Sequence, residues 1–194
     1  ASIRVASLNA FFGCVGKSKR VVLFVSFIEK LTTKELLAVL GHELGHFAHG
    51  DIYKNIAMVG MMLFAMFGIF GNLPDSLYID LGINKSPYGV MILLLLFMPV
   101  LGFLMMPVMG VVSRHNEYAA DKMGSELGGS GGAVELANAL KKLVTENRSF
   151  PLSHPLYIFF HYTHPPVLER LKELGVDVQS SDKSALGEPC QADI

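Results

Sequence analysis

Five consecutive residues have the types and spacing of a metal site. His42-Glu43-Leu44-Gly45-His46 is an H-E-x-x-H pattern. On a helix, four residues make about one turn, so both imidazoles leave one face and can grip a single ion. Zinc suits nitrogen and carboxylate ligands in a tetrahedral shell. Glu43, beside the first imidazole, is placed to reach a water at the metal and take its proton. A catalytic zinc needs a third protein ligand and one open position. A histidine six residues after the second one would serve, but Ile52 stands there. His49 lies about one turn beyond the pair on a straight helix, so it flanks the metal; in a closed structural site it would be the natural fourth ligand. A distant carboxylate remains: Glu117, with Asp121 one turn further on. Glu117 can ligate, and Asp121 can accept from the free nitrogen of a ligand histidine and hold its tautomer.

These residues need elements that bring them together. The capping-box pair Thr32 and Glu35 opens a helix with Leu36, Leu37, Val39, Leu40 and Leu44 as its apolar set. Nothing breaks this helix before Gly50, and it is expected to run on towards the apolar stretch Ile56–Gly71. A second apolar run, Val90–Val112, has 23 residues. At 1.5 Å per residue this second run is about 35 Å long, enough to cross a hydrocarbon core of about 30 Å; the first, at about 24 Å, is marginal alone. The segment 72–88 joins them, and the pair reads as a transmembrane hairpin with both flanks on one side. The second run is expected to continue into 113–123, with Pro99 and Pro107 as kink points. The hairpin thereby returns Glu117 to the side of His42 and His46. With Glu117 level with Leu44, the antiparallel pairing also aligns the two apolar bands.

Basic residues give an orientation. Lys54, Arg114 and Lys122 flank the hairpin and only Lys85 lies in its loop, which places the flanks, and the site, in the cytoplasm by the positive-inside rule.

Elsewhere, Ile3–Phe12 and Val21–Phe27 read as two strands of a hairpin. Residues 128–132 form a flexible break, Ala133–Val144 an amphipathic helix, and Phe150–Tyr162 an aromatic, irregular stretch. Pro165 and Pro166 open a last helix through Leu174, before a loose polar tail from 179 to 194. The expected fold class is mainly α with a small β-hairpin or sheet: a gluzincin-like zinc protease core carrying a transmembrane helical hairpin. The expected organisation is residues 1–54 for edge strands and H-E-x-x-H helix, 55–112 for the hairpin, 113–178 for the rest of the catalytic domain and 179–194 for the tail. Ala1 rather than Met opens the sequence, as expected of a piece of a longer chain.

Composition agrees. Of 194 residues, 51% are hydrophobic and only 17% charged, and mean hydropathy is +0.42. Soluble domains carry about 25% charge, and apolar content this high excludes disorder. A net charge of −1 leaves no footprint for nucleic acid, and two cysteines exclude a disulfide scaffold.

The motifs together resemble the integral-membrane zinc metallopeptidases of the CAAX prenyl endopeptidase (type I) family, relatives of the HtpX-type heat-shock proteases. Four segments carry the resemblance: Asn9-Ala10-Phe11-Phe12, His42-Glu43-Leu44-Gly45-His46, Glu117-Tyr118-Ala119-Ala120-Asp121, and Thr163-His164-Pro165-Pro166 with Glu169-Arg170-Leu171. The resemblance implies one zinc per chain held by His42, His46 and Glu117, with Glu43 as general base and Asp121 behind the ligands. It implies that His164 stabilises the oxyanion, ahead of its neighbours His154 and His161, that Arg170 supports the site, and that Asn9 and Ala10 hold an extended substrate. The expected activity is zinc-dependent endopeptidase, acting on a peptide or protein substrate at the surface of a lipid bilayer. An HtpX-like quality-control protease and a non-catalytic membrane protein with a structural zinc are the alternatives.

Overall fold

The computed structural model describes residues 10–15, 18–23, 25–147 and 153–176, with side chains from 28 onward. Two antiparallel strands, β1 (Ala10–Val15) and β2 (Ser18–Leu23), pair from Ala10↔Leu23 to Val15↔Ser18. Eight helices follow among the described residues: α1 (Val25–Lys30), α2 (Thr33–Ala48), α3 (Asp51–Gly71), α4 (Asp75–Asp80), α5 (Pro87–Leu127), α6 (Gly132–Asn147), α7 (Pro155–His161) and α8 (Val167–Glu173).

The expected fold class is corrected here. The molecule is a helical membrane-type fold, and among the described residues no sheet contributes a layer to it. The ribbon of β1 and β2 is the only β structure among the described residues; Val25–Phe27, expected to extend the second strand, are the start of α1. Two strands alone bury too little to be stable, and both cores are built from helices. The segment 155–161, expected to be irregular, is also helical, with His154 at its N-cap and Pro155 at its first position, where a missing N–H costs nothing.

Helix α2 starts as expected. Thr32 Oγ1 accepts from Glu35 N, and Glu35 Oε2 accepts from Thr32 N. Lys142 on α6 donates to the same Glu35 oxygen at 2.7 Å, tying the two helices. Ala38 and Val39 of α2 pack with Leu136, Ala137 and Leu140 of α6 and with Leu171 of α8, forming the core beside the site. Where a continuous helix was expected, the chain breaks after Ala48. Gly50 adopts φ 67°, a left-handed conformation that glycine tolerates best, and α3 starts afresh at Asp51.

Helices α3 and α5 form the hairpin. Starting at Asp51 gives α3 21 residues, about 31 Å, so both arms are long enough to span. Only 6% of the most apolar stretch of α3 and 17% of that of α5 is buried. Helices so apolar and so exposed fit hydrocarbon, not the core of a soluble protein. At the tip, Met66, Phe70, Tyr78, Leu93 and Leu94 pack together, and the Tyr78 hydroxyl donates to Phe70 O at 2.6 Å. Helix α5 is continuous for 41 residues through Pro99 and Pro107, so its last turns leave the apolar band and run back along α2.

Candidate active site

Small residues let α2 and α5 touch. A Cβ on Gly45 would stand 2.9 Å from Ala120 Cα, and one on Gly124 would stand 2.9 Å from Ala38 O and 3.0 Å from His42 N. Gly45 thus meets Ala120, and Gly41 meets Gly124. This register is four positions, about one turn, beyond the pairing that sets Glu117 level with Leu44. Even so, with the backbones this close, the Glu117 carboxylate reaches both imidazoles.

Both histidines turn Nε2 to the Glu117 carboxylate: His42 at 3.6 Å from Oε2, His46 at 3.3 Å from Oε1. One ligand atom from each of the three residues lies within 4.8 Å of the others. The rings themselves are 4.8 Å apart, edge to face. His42 Nδ1 approaches Asp121 Oδ1 to 2.9 Å, out of line for a hydrogen bond, and His46 Nδ1 hydrogen-bonds Asp51 Oδ2 at 2.8 Å. Arg170 grips Asp121 with two bonds, Nε–Oδ2 at 2.7 Å and Nη2–Oδ1 at 2.5 Å, and holds Nη1 3.5 Å from Glu117 Oε2. His164, 66% exposed at its side chain, brings Nε2 to 3.3 Å from Glu117 Oε1, so the cluster opens to solvent at that imidazole.

The donor set fits a metal. Glu117 is buried, yet its Oε2 finds no hydrogen-bond partner among the described residues, and a buried carboxylate oxygen without a donor is costly unless a cation meets it. Two imidazole nitrogens and that carboxylate are zinc-type ligands. Burial works against charge on His46, but hydrogen bonds to Glu117 and Asp51 outweigh it and hold its pKa up at about 9. Both carboxylates thus favour positive charge between them. Burial pushes the Glu43 carboxyl up, against the pull of His42 and His46.

Of the residues singled out in the sequence, His42, Glu43, His46, Glu117, Asp121, His164 and Arg170 come together. Ala10 begins β1, which runs beside α2; Asn9 lies outside the described residues. His49 is the exposed C-cap of α2 and no member of the three-ligand group. His154 caps α7 through Leu156 N, and His161 packs on Tyr157. Sequence reasoning missed two residues. Asp51 backs His46, and its signal was available: Gly50 followed by an acid marks a helix end and a new start. Arg114 on α5 donates to Ile158 O at 3.1 Å and Tyr162 O at 2.5 Å, holding the end of α7 two residues before His164. No motif announces that contact.

Two imidazoles one turn apart and a carboxylate from an antiparallel helix define a metallopeptidase-type centre. The comparisons agree with that class. The model of peptidase family M48 matches residues 1–176, and the chain belongs to that family. The CAAX prenyl protease 1 homolog of Homo sapiens is 32% identical over 89% of this chain and 45% of its own length. The homolog of Arabidopsis thaliana is 33% identical over 93% of this chain and 43% of its own. The crystal structure of S. mikatae Ste24p superposes with a TM-score of 0.69 at 31% identity, over 87% of this chain and 42% of that one. The chain therefore spans less than half the length of these relatives.

Proposed function

We propose that the chain is the catalytic part of a zinc-dependent membrane endopeptidase. The observation that carries this reading is the convergence of His42, His46 and Glu117 within 4.8 Å, next to the half-buried Glu43. His42 Nε2, His46 Nε2 and Glu117 would hold one zinc per chain. Zinc bound there supplies Lewis acidity, making water a nucleophile near neutral pH and polarising a carbonyl.

The chain's own residues do the rest. Glu43 takes a proton from the attacking water as its oxygen bonds to the peptide carbon, and returns a proton to the amine as the C–N bond breaks. The His164 imidazole donates to the carbonyl oxygen as negative charge builds there. Arg170 holds Asp121 by two charge-assisted bonds, and Asp121 in turn faces His42 Nδ1, steadying that ring. Asn9 and Ala10 would offer backbone groups to an extended peptide, Ala10 from the start of β1 beside α2.

The substrate is a peptide or unfolded protein segment at the bilayer surface. The relatives' name points to a prenylated one, and HtpX-like quality control is the other source of such segments. Lys54, Arg114 and Lys122 against Lys85 favour a cytoplasmic site by the positive-inside rule. On this reading residues 1–54 and 113–178 would form the catalytic part around the hairpin 55–112.

The test is cleavage of an unstructured peptide by detergent-purified protein with its metal content measured, beside Glu43→Gln. One zinc in both proteins and cleavage by the wild type alone supports the reading, with a loss of about 10²–10⁴-fold in the variant. Zinc in both and cleavage by neither supports either a structural zinc, with His49 tested as the fourth ligand, or an activity that needs more of the protein than this chain, and no metal in either removes the centre altogether.

A further inference from the structure

We infer that Asp51, the first residue of the apolar helix α3, is a positioning residue for the metal-facing ring of His46; this rests on the zinc reading above. An imidazole that offers Nε2 to a metal must carry its proton on Nδ1, and an acceptor at Nδ1 fixes both the tautomer and the ring's orientation. For His42 the facing carboxylate is that of Asp121, 2.9 Å from Nδ1 and from the same helix as Glu117. His46 has its own in Asp51 Oδ2, at 2.8 Å and aligned. The Asp51 side chain is 7% exposed, and its other oxygen takes Lys54 Nζ at 2.9 Å from one turn along α3. One oxygen is thereby committed to lysine and the other to histidine.

The backbone is built for this contact. On an uninterrupted helix, Asp51 would lie five residues after His46, about 140° round the axis and facing away. The left-handed turn at Gly50 (φ 67°) ends α2 and starts α3 at a new angle, which swings Asp51 back to His46. An acid in a first helical turn is commonly there for the helix dipole. That role needs neither burial nor contact with a ligand imidazole, and Asp51 has both. Each histidine of the pair thus has its own carboxylate, one from each arm of the hairpin.

The experiment measures zinc affinity of the full chain in detergent, by competition with a chromophoric chelator at fixed pH, together with the Nδ1–H resonances of ¹⁵N-histidine-labelled, zinc-loaded protein. Asp51→Asn is expected to weaken zinc about 10–100-fold and to shift the His46 Nδ1–H signal while that of His42 stays in place. Lys54→Met, which leaves the carboxylate, is expected to bind zinc as tightly as the wild type. Wild-type affinity in Asp51→Asn overturns the inference, as does an equal loss in Lys54→Met, which would assign the effect to the ion pair of α3. If Asp51→Asn does not fold, the wild type decides: a downfield, carboxylate-bound Nδ1–H on His46 supports the inference, and its absence overturns it. A wild type that binds no zinc overturns the metal reading itself, and this inference with it.

Discussion

Glu43 and His46 sit one turn apart with opposite electrostatic consequences. Burial raises the Glu43 carboxyl, so in the metal-free protein its ionisation opposes folding. A group whose folded pKa is raised loses stability as pH climbs past its unfolded value. Glu43→Gln should therefore melt higher than the wild type at pH 7 without metal, and the advantage should vanish at pH 4; thermal melts at the two pH values check this. His46, held at about 9 by Glu117 and Asp51 despite burial, stabilises fully below its ordinary pKa of about 6.5, and the contribution fades as pH rises through 9. Metal-free protein should lose melting temperature across that window. Zinc needs the neutral ring, so zinc affinity should instead grow over the same window. Melts and chelator titrations from pH 6 to 10 should run in opposite directions, and parallel trends would remove His46 from the ligand set.

Between α2 and α5 the glycines set the distance on which the site depends. In Gly45→Ala the new Cβ would press on Ala120 Cα at 2.9 Å, and backbone cannot step aside. Overpacking of this kind costs about 1–3 kcal/mol. It also pushes Glu117 away from both imidazoles, so zinc affinity and melting temperature should fall together. The contact between α5 and α7 predicts a different split. Gly110 leaves room for Arg114 to reach Tyr162 O; a Cβ there would stand 2.8 Å from Arg114 Nη1 and 3.0 Å from that carbonyl. Gly110→Ala and Arg114→Ala should loosen the end of α7 and with it His164, while the three ligands stay in place. Zinc content should hold and turnover should drop about tenfold or more. Loss of zinc in either variant would show that α7 supports the ligands too.

At the scale of the molecule, a 41-residue helix carries the chain from the hairpin tip to the metal cluster. Its apolar length and the proposed ligand Glu117 lie on one continuous helix, so the depth of the span in the bilayer sets the height of the site above it. The topology is testable with single cysteines in a background lacking Cys14 and Cys190. Ser76→Cys in α4, at the tip, and Ser130→Cys, between α5 and α6, should be labelled from opposite sides of a sealed membrane. Labelling from the same side would mean that the hairpin does not span.

Much of this was legible in one dimension, and the reason is locality. The imidazoles of His42 and His46 share a face because of helical period alone, and Thr32 with Glu35 sets where that helix starts. The two spans follow from uninterrupted apolar runs, and Glu117 with Asp121 from a one-turn spacing. What was misread depended on competition between distant parts. Val25–Phe27 has strand-like residues but lies in a helix, because the ribbon ahead of it is too small to recruit more chain. Residues 155–161 form a helix that Arg114 holds from 44 and 48 positions away. The register of α2 on α5 moved by a turn because glycines let backbones meet, a matter of shape complementarity that periodicity does not contain. Asp51 reaches His46 only because a single left-handed residue, Gly50, ends one helix and starts the next at a new angle. Spacing along one helix is a property of the chain, whereas a contact between helices is decided by which surfaces fit, and that is settled only when the whole molecule packs.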